Sequence, residues 1–124
     1  MTAHRGVLIE PDGTVTEKLF DTVNLQALTS AVDARHLDCV RVRQFDSPRH
    51  LHLDAWVDDE GMFTAEHNPL ASYLVSRLSG HACQRLYGRA LFIAGDLNTG
   101  ASLGLPGDFA AELASLGREL AIIL

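Results

Sequence analysis

Apolar and polar residues alternate along two neighbouring stretches, Cys39 to Phe45 and His50 to Val57, with Asp46-Ser47-Pro48-Arg49 between them. A period of two marks half-buried strands, because successive side chains leave a strand on opposite faces. Pairing the stretches through that loop sets Arg41 opposite Asp54, Arg43 opposite His52 and Phe45 opposite His50 on one face. Val40, Val42, Leu51, Leu53 and Ala55 share the other face, and a slip of one residue would carry this apolar set into water.

The same reading extends along the chain. Gly6-Val7-Leu8-Ile9 and Thr14-Val15-Thr16 flank Glu10-Pro11-Asp12-Gly13, whose Pro and Asp-Gly suit a tight reversal, so a first β-hairpin is predicted. Leu25, Leu28 and Val32 recur at helical spacing, with Asp21, Thr22 or Asn24 placed to cap the helix start. Asp58-Asp59-Glu60-Gly61 reads as a turn into a short strand, Met62-Phe63-Thr64, with Gly61 expected to take a positive φ. Asn68 then caps a helix with Pro69 at its first position, carrying Leu70, Tyr73, Leu74 and Leu78 on one face to Gly80. Leu91-Phe92-Ile93-Ala94, bounded by Gly88 and Gly95, is a continuous apolar run suited to a central strand covered on both sides. A loop over 98–107 leads to a final helix with Phe109, Leu113, Leu116, Leu120 and Ile123 on one side. The expectation is a single α+β domain, with an antiparallel sheet of about five or six strands and two to three helices.

Composition narrows the function classes. The chain has 124 residues, a usual size for one domain, and 47% hydrophobic content suffices for one core. A formal charge of −6 opposes binding to nucleic acid or anionic lipid and favours a protein partner. Cys39 and Cys83 lie in unrelated segments without a CxxC spacing, so both are expected to be free thiols in a reducing, cytoplasmic setting. No apolar run approaches the ~20 residues that span a bilayer, and no membrane association is expected.

Candidate chemistry is sparse. His50, His52 and Asp54 would project two imidazoles and a carboxylate from one strand face, a set able to bind zinc; the plainer reading is a solvated face on which Arg41 and Arg43 offset Asp54. His67 beside Asn68, with Glu66, resembles a base next to an orienting group, although capping already accounts for Asn68. His81 lies two residues from Cys83 and could lower its pKa, against the reading of Cys83 as a buried structural thiol. Arg77, Arg85 and Arg89 offer a local site for an anion or acidic peptide. The stretch over 95–107 has neither the lysine of a phosphate loop nor dinucleotide spacing, and no Ser sits in a nucleophile elbow. No catalytic residue and no cofactor is expected, and Gly61, Asn68, Pro69, Gly88 and Gly95 are read as structural. Ile122, Ile123 and Leu124 are too apolar to stay bare and should be covered either by the chain's own core or by a second copy.

Three segments resemble an uncharacterised small-domain family of actinobacterial, phage and plasmid genomes: Val57-Asp58-Asp59-Glu60-Gly61, Asn68-Pro69-Leu70-Ala71 and Leu86-Tyr87-Gly88-Arg89-Ala90-Leu91-Phe92-Ile93-Ala94-Gly95. In that family a similar acidic turn precedes an Asn-led helix and a Gly-Asp step often precedes the apolar strand, where this chain has Gly88-Arg89. The resemblance implies a mobile-element context and supplies no reaction or cofactor.

The function expected from the sequence is therefore a non-enzymatic accessory protein acting through contacts with an unidentified protein partner, or with itself through the C-terminal helix or a sheet edge. A metal-dependent hydrolase using His50, His52 and Asp54 is the alternative from another class. An acidic antirestriction-like DNA mimic is the third.

Overall fold

A computed structural model of the chain describes residues 4–82 and 85–124. Six strands form one antiparallel sheet: β1 (His4–Ile9), β2 (Val15–Phe20), β3 (Leu37–Gln44), β4 (Leu51–Asp58), β5 (Ala90–Asp96) and the two-residue β6 (Ser102–Leu103). The strand order is β2-β1-β5-β4-β3, with β6 pairing to β5. Four helices complete the α+β domain: α1 (Leu25–Val32), α2 (Gly61–Thr64), α3 (Pro69–Ser79) and α4 (Phe109–Ile123). The helix count is one above the expectation because α2, a single turn, replaces the predicted strand over Met62-Phe63-Thr64.

The reason for that replacement is local. Asp58 Oδ1 accepts from the Glu60 N–H, and Phe63 N then donates to the Glu60 carbonyl and Ala65 N to that of Gly61, at 3.0 and 2.7 Å, which winds the chain. Gly61 does not have a positive φ. Its lack of a side chain serves another end: a Cβ there would lie 2.8 Å from the Tyr87 carbonyl oxygen.

Alternation along the strands divides the core in two. Val7, Ile9, Leu53, Ala55, Val57, Ala90, Phe92 and Ala94 face α3 and α4, joining Leu70, Leu74, Leu113 and Leu120. Leu8, Leu91 and Ile93 face the other way, towards Leu28, Ala31 and Val32 of α1. The predicted central strand is therefore covered on both sides, and Leu91, Phe92 and Ile93 are fully buried. Each such side chain contributes roughly 2 kcal/mol by area removed from water. Helix α1 starts where Asn24 Oδ1 accepts from Ala27 N at 2.8 Å, one of the three caps the sequence offered. Tyr73, expected on the buried face of α3, is exposed, and Ala71 and Val75 take its place.

The β3–β4 pairing follows the expected register from Val40↔Ala55 to Arg41↔Asp54 and then shifts. A bulge between Arg41 and Arg43 places Arg43 opposite Leu53 and Gln44 opposite His52. The predicted Arg43–His52 and Phe45–His50 pairs are thus corrected. The extra residue, Val42, stays in the core beneath α3 and α4, and the shift carries Arg43 from the His52 face to the Leu53 face.

Helix α4 buries Ala110, Leu113, Ala114, Gly117 and Leu120. Ile122, Ile123 and Leu124 are exposed, so the chain's own core does not cover them. No helix among the described residues is long and apolar enough to cross a membrane.

Candidate functional site

The strongest concentration of chemistry lies on the α1 face of β3 and β4. His52 and Asp54 are 5% and 3% exposed, which corrects the solvated face expected for them. His52 Nδ1 and Asp54 Oδ1 are 2.6 Å apart. When the carboxylate is ionised it has only acceptors, and His52 Nδ1–H then donates to it. Room for the pair comes from the neighbouring strand. Gly95 lies directly opposite His52, and a Cβ there would fall 2.5 Å from His52 Cε1 and closer still to Asp54 Oδ2. The glycine read from sequence as a strand terminator is in fact the floor beneath a buried polar pair.

Cys39, exposed on the edge strand, lies beside the same carboxylate. Desolvation, followed by the charge of Asp54, pushes its thiol up to about 12. Burial likewise raises the Asp54 carboxyl above its ordinary value, while His52, Cys39 and the Arg41 guanidinium pull it back. The order of the three groups decides what they can do. In a thiol-based triad the imidazole stands between nucleophile and orienting group and takes the thiol proton. Here the carboxylate stands in the middle, and the thiol remains protonated at neutral pH.

His50, the third member of the predicted metal trio, lies in the exposed turn before β4. The structure brings His52 and Asp54 together and leaves His50 apart. Among the described residues no three His, Cys, Asp or Glu side chains have the spacing to hold a metal ion. The predicted arginine cluster is also divided. Arg77 is exposed in the last turn of α3. Arg85 borders a hollow of about 280 Å³ with Asp38, Asp59, Met62 and Tyr87. Arg89 pairs with Glu10 at 3.4 Å and lines a different cavity of about 550 Å³, shared with Asp33, Arg35, Asp58 and Glu60, at the far end of β4 from the His52–Asp54 pair. His67 is exposed and packs its ring 5.6 Å from that of Tyr87. Cys83, and with it the His81–Cys83 pairing, lies outside the described residues.

Asn68 does far more than cap. Its Oδ1 accepts from Ala71 N at 3.1 Å, while its Nδ2 donates to the carbonyls of Ile9 and Gly88 at 3.0 and 2.8 Å. One fully buried amide therefore ties α3 to the end of β1 and to the segment entering β5. Asn-Pro before an apolar helix signalled the cap in sequence; the two long-range bonds left no sequence signal.

Searches against family models, curated proteins and solved structures give no match.

Proposed function

We propose that the protein is a non-enzymatic accessory protein that acts in the cytoplasm through contact with another protein. The observation that carries this reading is an inversion of the usual placement of side chains. Phe63, 78% exposed, and Met62 beside it stand in solvent on α2, a turn whose position is fixed by the close approach of Gly61 to Tyr87. The imidazole and carboxylate best suited to chemistry, His52 and Asp54, are instead buried and bonded to each other on the sheet. Single exposed apolar residues are ordinary, but two adjacent large ones on a pinned turn present a contact. The resemblance of the acidic turn, the Asn-led helix and the apolar strand to a family of phage and plasmid genomes supports a mobile-element setting. Ile122, at 87% exposed, with Ile123 and Leu124, favours a second contact, between copies, through α4.

A photoreactive amino acid in place of Phe63, irradiated in extract of the native host, should give one discrete protein adduct that unlabelled protein competes away. Turnover of a defined small substrate by purified protein, lost in His52→Ala, overturns the reading.

A further inference from the structure

The sheet has two edges, and they are finished differently. Helices pack on both edge strands, α4 on β2 and α3 on β3, but among the described residues only at β2 does a helix side chain meet the strand backbone, where Arg118 Nη2 donates to the Val15 carbonyl at 3.2 Å. Strand β3 is longer, eight residues, and among the described residues no strand lies outside it. The Cys39 N–H is met by the carboxylate of its own neighbour, Asp38, at 3.0 Å. Backbone groups alternate in direction along an antiparallel strand, so the N–H of Arg41 points to the same side as that of Cys39. An edge of this kind is a template for another strand.

Charge identifies what would fit. Residues 35–49 hold four arginines against two aspartates in a chain whose net charge is −6. Among the described residues Arg41, Arg43 and Arg49 make no ion pair within 4.0 Å. The bulge puts Arg41 on the Asp54 face and Arg43 on the Leu53 face. An added strand would therefore meet a guanidinium on each side. On the Arg43 face a cleft of about 390 Å³ opens between Phe45, Leu78 and Phe109, large enough for an apolar side chain. A second copy of β3 fits less well, since a twofold centred anywhere from Arg41 to Arg43, where the arginines lie, would set like charges of the two copies against each other.

We propose that β3 is a docking edge for an extended acidic segment of a partner protein, which adds as a strand, sets carboxylates against Arg41 and Arg43 and places one large apolar residue in the cleft beside Phe45 and Phe109. This rests on the protein-contact reading above. The probe is a fluorescent valine-rich peptide about as long as β3, with two adjacent aspartates that face opposite sides of the strand and a phenylalanine two residues beyond the second. It should bind the full chain, slow hydrogen exchange at the Cys39 and Arg41 amides, and lose about tenfold in affinity in R41E/R43E, as expected when close interfacial charges are reversed. Equal binding of the lysine-for-aspartate peptide to the unmodified protein overturns the proposal, as does protection appearing on β2. Tighter binding of an oligo-dT strand than of the peptide overturns it in favour of nucleic acid. If the peptide fails while the adduct at position 63 still forms, β3 is the wrong edge and the protein-contact reading stands; if both fail, that reading falls with it.

Discussion

Asn68 and the His52–Asp54 pair lie on opposite faces of one sheet, almost sealed from solvent, and they meet the cost of burial in different ways. Asn68 is neutral and spends its side chain on backbone: one acceptor to a helix N–H, two donors to carbonyls far away in sequence. The pair spends its hydrogen bond on itself, and desolvation still raises the Asp54 carboxyl. A polar group that satisfies the main chain cannot be exchanged for an apolar one, whereas a self-satisfied pair can. The contrast separates a residue the fold requires from residues the fold carries.

The largest effect is expected at Asn68. Asn68→Ala removes a cap worth about 1 kcal/mol and leaves the buried Ile9 carbonyl and the half-buried Gly88 carbonyl without their donor, for a total loss of about 3 kcal/mol in urea unfolding. Asn68→Asp keeps the acceptor and lacks the donors, so it should be nearly as damaging. An Asp variant within about 1 kcal/mol of the parent would show that the Ile9 and Gly88 bonds matter little.

Gly95→Ala comes next, at about 2–3 kcal/mol, because its methyl meets the fixed His52–Asp54 pair and the sheet backbone cannot yield. The pair itself is the collision partner. Gly95→Ala combined with His52→Ala and Asp54→Ala should therefore be less destabilised than the separate costs imply, by about 1 kcal/mol or more. Strict additivity would mean that the glycine answers to something else.

At the pair, His52→Leu alone should cost about 2 kcal/mol near neutral pH, since it leaves a buried carboxylate without its main partner. A carboxyl with a raised pKa holds its proton more tightly in the folded state. Its contribution to stability is complete below the ordinary value of 3.8 and is lost as pH rises through the folded value. His52 is the strongest influence holding that folded value down. Without it the loss deepens, so the deficit of His52→Leu should narrow as pH falls from neutral towards the ordinary carboxyl value of 3.8. His52→Leu with Asp54→Val should fall within about 1 kcal/mol of the parent. A double variant as unstable as the single one would erase the distinction from Asn68.

Much of the fold was legible because its signals are local. The β1–β2 reversal, the Asn24 and Asn68 caps, the apolar run of β5 and the Arg41↔Asp54 register all follow from spacing and turn chemistry over a few residues. The failures are tertiary. Nothing near Val42 announces a bulge, which keeps Val42 in the core and turns Arg43 to the Leu53 face. Met62-Phe63-Thr64 has strand composition, and only the hydrogen bonds from Phe63 N and Ala65 N to the Glu60 and Gly61 carbonyls wind it into α2. The burial of His52 and Asp54 was hidden for the same reason, since alternation places them on one face and cannot say that Gly95 on the next strand makes a bed for them.

Trp56 supplies the limiting case on the α1 face. Its indole N–H is buried and meets no acceptor among the described residues, so it is neither satisfied by backbone, as Asn68 is, nor by a neighbour, as His52 is. The ring packs against the Leu91 and Ile93 cluster, and that contact survives in phenylalanine. Trp56→Phe gives up part of an apolar surface, worth about 1 kcal/mol, and removes an unsatisfied donor whose burial costs about the same. The two cancel, and the urea midpoint should move by less than the equivalent of about 0.5 kcal/mol. A loss above about 2 kcal/mol would mean that the indole N–H is bonded in solution, and the ordering from Asn68 through the pair to Trp56 would have to be redrawn.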